Sequence, residues 1–466
     1  MSAQGIARGV VLAAAAAGMV WTAHAAPVRT STGERLATTT SAVEAASLVC
    51  PGGAGSNGST EVNATSSPES LTPFAREGGG ASARLESSSD PKAMSLERGG
   101  ATVTEMKGGP LVVESTGGMA PGFAAAQISG GDGKSPLVAR TCAASLNEAW
   151  IPVGQKGSSR LSTLVLVNSG SHGATVDIDV SSRDGDVAGA AITDKAVPAH
   201  SRVEVNLPTE AKNHDGVVVH VRSESGAVQA SVRDSASSGS TKGEELTAQY
   251  AVPGTTQIVP AAPVTDGKTS VRLAAPAGRG AVVKLSALST QGEASKDRVV
   301  SVPRGRTLDV SLDGLKGSTV AVRATSEAEI VAAATAPAAS GSSADFAWAQ
   351  AAPDIGPAAG TAPRGAGTGG DLVLAASAPQ VRATVVVTTK DGKSTTQHVD
   401  VRDNAARRIS VPKDASVWVT APTKQGESHL HAGIVLRTGS KSSDRITTLT
   451  LTAAPWMREQ TALVAR

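Results

Sequence analysis

STLVLVNSGSHGATVDIDVSSRDGD, residues 162–186, reads as two strands and the turns that end them. In ATVDIDVSS (174–182), Val176, Ile178 and Val180 alternate with Asp177 and Asp179. That period of two buries one face of a strand and wets the other. The run LVLV at 164–167 is a short apolar strand, and Asp184-Gly185 is a turn. The block continues through VPAHSRVEVNLP (197–208) to GVVVHVRSESGAVQASVRD (216–234), which reads as a closing hairpin.

The same grammar returns twice. SVRLAAP (270–276), AVVKLSALSTQGE (281–293), VVSVPRGRTLDVSL (299–312) and STVAVRATSEAEIVAAAT (318–335) form one copy. DLVLAAS (371–377), RATVVVTTKDGK (382–393), HVDVRDNAARRISVP (398–412) and ASVWVTAPTKQGESHLHAGIVLR (415–437) form another. A degraded copy precedes them: ASLVCP (46–51) matches the opening strand and GGPLVVESTGGMAPGFAAAQ (108–127) resembles the closing hairpin. Between these, residues 52–100 are rich in Gly, Ser and Glu and read as long loops.

The repeat spacing of roughly 100 residues points to an all-β chain of tandem immunoglobulin-like β-sandwich modules. A β-propeller-like repeat assembly is the alternative, disfavoured because a blade holds four strands in about 40–50 residues. The resulting division is a signal peptide over 1–26, a degenerate β module with long loops over 27–145, and β-sandwich repeats over 146–260 and 261–353. A Gly- and Pro-rich linker over 354–370 and a last repeat over 371–466 with an added C-terminal strand complete it. A flexible stalk is the alternative reading of residues 27–140.

GVVLAAAAAGMVW (9–21) follows Arg8 and leads into Thr22-Ala23-His24-Ala25-Ala26. This is the pattern of a secretory signal peptide, with cleavage expected near Ala25. An uncleaved anchor is the alternative, and membrane contact is expected only through this segment. The apolar run is shorter than the roughly 20 residues that a spanning helix needs. In the oxidising compartment that export implies, Cys50 and Cys142, the two cysteines of the chain, are expected to form one disulfide. It would fasten the degenerate module to its neighbour. Two buried free thiols are the alternative.

Apolar residues make up 40% of the chain but aromatic ones only 2%, so cores must be built thin, from alanine and valine. A net charge of +2 without a basic helix or patch argues against nucleic acid as a partner.

Each candidate site has a plain structural reading. His429 and His431 would share one face of a strand, a two-histidine metal grip, but a third ligand is missing locally. Glu427 has the opposite parity, and Asp403 or His398 would need a contact from the fold. Ser89-Asp90-Pro91-Lys92 and Ser145-Leu146-Asn147 echo the elements of penicillin-binding enzymes without their Lys-Thr-Gly partner, Lys156-Gly157-Ser158 being too close to Asn147. Asp184-Gly185-Asp186 lacks the further oxygen ligands of a calcium loop. Asp177 and Asp179 mark a wet strand face. Trp150, Trp348 and Trp456 each sit near a proline at a module boundary, where an aromatic packs an interface; a ligand platform is the alternative. No catalytic residue, metal ligand or cofactor is expected.

Leu48-Val49-Cys50-Pro51, Thr141-Cys142, Trp150-Ile151-Pro152 and LSTLVLVNSG, with the export signal and the Ala and Gly bias, resemble the actinobacterial secreted proteins of the uncharacterised DUF5719 group. That resemblance implies an envelope-associated protein and brings no activity to any residue. The expected function is a non-enzymatic scaffold or protein-interaction surface, with an unknown envelope protein or cell-wall polymer as partner. A carbohydrate- or peptidoglycan-binding module comes second and an envelope hydrolase third.

Overall fold

In this computed structural model, residues 37–462 are described apart from 54–59, 72–77, 86–91, 107–108, 131–134, 155–158, 208–210, 212, 238–241, 249–251, 266–267, 277, 316–318, 339–344, 368, 425 and 439–444. The expected signal peptide over 1–26 lies outside the described residues. The chain divides into two compact units, one of Met1–Ser41 with Met457–Arg466 and one of Ala42–Trp456. The strands Ala37–Ala42 and Met457–Ala462 form a two-stranded sheet.

The larger unit is nearly all β and is built from small antiparallel sheets that share cores in pairs. In the second pair, one sheet runs Glu148–Pro152, Val218–Ser225, Ala174–Ser182, with Gly185–Asp186 and Ile192–Val197 at its far side. The other runs Ser201–Asn206, Arg160–Asn168, Gln229–Ala236, Gly243–Ala248. Between them Leu164, Leu166, Ala230 and Val232 meet Val176, Ile178, Val219 and Val221. The alternating residues that predicted strands are the ones that fill this core.

With Gly185–Asp186 and Ile192–Val197 counted together as the fourth, the strands fall along the chain in the order first-sixth-third-fourth in one sheet and fifth-second-seventh-eighth in the other. The first pair, from Ala45–Cys50 to Val138–Thr141, has the same order, as does the fourth, from Ala358–Thr361 to Arg445–Thr450. The third follows it with one variation. Its sixth and seventh strands are a single run, Thr319–Pro337, that pairs first with Gly254–Pro263 and Ala281–Ser289 and then with Ser270–Ala274 and Phe346–Gln350.

This connectivity corrects the closing hairpin read from residues 216–234. Val218–Ser225 pairs with Ala174–Ser182, whereas Gln229–Ala236 pairs with Arg160–Asn168 in the facing sheet. The chain crosses between the sheets at Gly226, whose φ of +72° suits glycine. Alternation is the same whether two strands pair or face each other across a core, so periodicity could not separate the two. In an immunoglobulin sandwich the seventh strand lies beside the sixth; here it lies beside the second.

Two further readings change. Residues 52–100 contain the strands Thr60–Ser66, Gly79–Leu85 and Lys92–Met94 rather than loops alone, and the flexible-stalk reading of 27–140 does not hold for its described residues, which begin at 37. The stretch 354–370, read as a linker, carries Ala358–Thr361, an edge strand of the fourth pair, where proline and glycine are tolerated. A Cβ at Gly360 would stand 2.3 Å from the indole of Trp418, so glycine is needed for the strand to lie beneath that ring.

Cys50 and Cys142 form a disulfide across 92 residues. Both sulfurs lie in the core of the first pair with Val62 and Phe123, so the bridge staples that pair internally instead of tying it to its neighbour. Replacing both cysteines with serine should cost about 4 kcal/mol through the loop closed in the unfolded chain. A lower denaturation midpoint for the oxidised protein than for the variant would contradict this.

Candidate functional site

The eighth strand of each pair, Val138–Thr141, Gly243–Ala248, Phe346–Gln350 and Arg445–Thr450, lies at the edge of its sheet. These four strands contact one another in cyclic order. They are held by side chains that bond to a neighbour's backbone. The Thr141 hydroxyl donates to Thr450 O (2.6 Å), the Thr448 hydroxyl to Trp348 O (2.7 Å), and the Ala139 N–H to Thr447 Oγ1 (3.1 Å). Arg140 donates Nη1 to Thr247 O and Nη2 to Ala230 O, both at 3.1 Å.

Two carboxyl groups are buried at this junction. Asp345 Oδ2 accepts from the N–H of Leu137 and of Ile446, each at 3.1 Å, and so joins three pairs at one atom. Glu245 lies 3.2 Å from the Thr447 hydroxyl through both oxygens and accepts from Leu246 N–H. Burial pushes Asp345 up to about 8 in spite of its backbone hydrogen bonds. Burial, with Asp345 nearby, also holds Glu245 well above the usual carboxylate range. At about 8, Asp345 is mostly protonated at neutral pH. Arg140 is 1% exposed, and burial alone draws it down to about 9.

A pocket of about 440 Å³ opens at the same junction. Its floor is formed by buried residues of all four eighth strands, among them Arg140, Leu246, Trp348 and Thr448. Its rim carries Leu146, 41% exposed, and Val252, 70% exposed, two large apolar side chains left in water. The indole N–H of Trp348 and Nε of Arg140 are buried without a hydrogen-bond partner.

Of the residues singled out in sequence, Leu48, Thr141, Leu146 and Trp348 line the pocket, and the candidate metal and catalytic residues do not converge here. His429 precedes the strand Leu430–Thr438 with φ +55°, so strand alternation does not reach it. Its Nδ1 lies 4.0 Å from Glu427. The His431 ring is spent between Ala352 O (2.9 Å) and Ser377 Oγ (3.2 Å), and burial lowers its pKa. His398 meets Thr384, and Asp403 meets Arg323. The two-histidine grip is therefore not assembled. Among the described residues no group of three or more His, Cys, Asp or Glu could hold a metal ion. Ser89, Asp90, Pro91 and Lys156-Gly157-Ser158 lie outside the described residues; Lys92 is exposed in a strand.

Asp184 lies 3.4 Å from His214, and Asp186 accepts from Ser181. Asp179 is half exposed, as a wet face requires, but Asp177 is largely buried and accepts from Arg222 and Asp194 N–H. Trp150 stacks on His220 at 3.9 Å and donates to Glu148, which also meets His220 at 2.9 Å. That ring packs with the core of the third pair, an interface role. Arg140, Glu245 and Asp345 went unread because each is a single polar residue in or beside a strand, with no motif around it.

A family model described as a family of unknown function, DUF5719, matches residues 95–412. The chain belongs to the DUF5719 family. No curated protein matches it. A solved structure similar to this DUF5719 chain is that of a tetra-tandem repeat in the extending region of a large adhesion protein, 8% identical, covering 90% of this chain and 99% of that one. Its TM-score of 0.10 is too low for the likeness to carry an argument. No helix among the described residues is long and apolar enough to cross a membrane.

The unfolded Asp345 carboxyl titrates near its ordinary 3.8 and the folded one near 8, so the folded state holds the proton more tightly. This contribution is full below about pH 4, falls as pH rises through 8, and is lost above it. Thermal midpoints between pH 5 and 9 should decline in the wild type and decline less steeply in Asp345→Asn, which keeps an acceptor for both amides. Parallel slopes would refute this assignment.

Proposed function

We propose that this DUF5719 chain is a non-enzymatic protein of the actinobacterial cell envelope, exported by its N-terminal segment, that serves as a rigid interaction scaffold and engages an envelope partner at the rim of the junction pocket. The observation that carries this reading is the convergence of four sheet edges on one apolar-rimmed opening. An apolar concavity with a few polar groups is the usual form of a recognition site. Exposed apolar side chains grouped at such an opening suit contact with another molecule.

The carboxyl groups of the junction favour binding over hydrolysis. Glu245 and Asp345 are buried, do not line the pocket, and are occupied by backbone amides and a threonine hydroxyl. Asp354 does line it, but its Oδ1 accepts from Gly356 N–H, Ser428 N–H and the Ser428 hydroxyl. A glycan would call for exposed aromatic rings. Trp150, Trp348, Trp418 and Trp456 are all buried, which favours a protein partner over a wall polymer. The disulfide fits an oxidising compartment outside the cytoplasm.

The test is in-cell photo-crosslinking of the tagged protein with a photoreactive residue at Leu146, and at Val282, which is exposed and outside the pocket lining, as control. One envelope protein recovered from position 146 and not from 282 is the expected outcome. Recovery of wall glycan alone would replace the scaffold with the polymer-binding reading.

A further inference from the structure

We propose that the junction pocket holds a single-chain amphiphile with an anionic head, of the fatty-acid or alkyl-phosphate class, the head at Arg140 and the chain running out past Leu146 and Val252. This rests on the pocket as the recognition site and adds a small ligand within it to the partner engaged at its rim.

Three arginines are buried in the described structure, and they differ in one respect. Arg160 meets Asp234 at 2.9 Å and Arg272 meets Asp309 at 2.7 Å. Arg140 meets no carboxylate. It has two backbone carbonyls, and its Nε has no partner. A buried cation is costly unless it is paired, and removing the partner of a buried pair leaves that cost uncompensated. Arg140 lines the pocket, so an anion that enters there can supply the missing charge.

A second polar group on the pocket floor points to the same ligand chemistry. The Trp348 indole N–H is a second buried donor without a partner, while the hydroxyls of Thr141 and Thr448 already donate to carbonyls. The floor therefore offers spare donors, and what complements it is an acceptor-rich head. Toward the opening, Leu146 and Val252 are joined by Pro353 and Pro455, walls suited to hydrocarbon. At about 440 Å³ the pocket lies toward the small end of the range for ligand sites, roughly 300–1,000 Å³, with room for one chain and not two. Arginine is the side chain suited to a planar carboxylate or a phosphate head.

The experiment is equilibrium binding to the purified full chain, below micelle concentrations, of dodecanoate, monododecyl phosphate, dodecanol and dodecyltrimethylammonium. The two anions should bind at least about tenfold more tightly than the alcohol, a difference of about 1.4 kcal/mol, and the cation should not bind. The better of the two anions identifies the head. Arg140→Met should bring dodecanoate down to the level of dodecanol. Because Arg140 also ties two sheet pairs together, a second variant, Ala144→Trp, fills the mouth from an exposed position and should abolish binding with the thermal midpoint unchanged. Equal affinity for dodecanoate and dodecanol, binding of neither, or undiminished binding to Ala144→Trp would each overturn the proposal. The assay contains no cellular partner, so its failure is distinguishable from a failure of crosslinking at Leu146.

Discussion

A sheet edge presents a row of unpaired N–H and C=O groups, and a soluble chain must cover it, charge it or pair it. Each of the four sheet pairs here ends on its eighth strand, and the structure turns on how those four edges cover one another. They do not extend into a common ladder. Threonine hydroxyls and the Arg140 guanidinium reach across to the neighbouring backbone, and the Asp345 carboxyl accepts two amides from different pairs. A hydrogen-bonding need that each module has alone is met in part by its neighbours.

The cores make the same demand. Alanine and valine fill them, and few large side chains are fully buried; Trp418, Phe123 and Phe346 are among them, alongside Arg140 and Arg272. A thin core buries little apolar area, and stability must be gained between modules as well as within them. Arg272 bonds to Val217 O in the second pair and lies over Trp348 at 4.8 Å, while Arg160 lies over Phe346 at 4.6 Å. Long arginine stems thus supply the bulk that aromatic residues would otherwise bring.

Strand alternation and the repeat were legible because each is spelled out over many residues, as in Val176, Ile178 and Val180. The pairing of the sixth and seventh strands was not, since a period of two looks the same on either side of a core. The edge strand at Ala358–Thr361 was hidden by composition: its glycine serves Trp418, which lies nearly sixty residues further along the chain. Junction residues were the least visible. Asp345 draws its meaning from Leu137 and Ile446, and no local pattern announces partners 208 and 101 residues away.

The interfaces close on themselves: the fourth pair returns to the first, where Trp418 donates to Thr65 and Thr141 to Thr450. An open array of repeats can gain or lose a unit at either end, because each unit touches only its neighbours. A closed cycle has no free end at which to add one. Duplicating a module would therefore force the cycle apart and strip the cover from two edges at once.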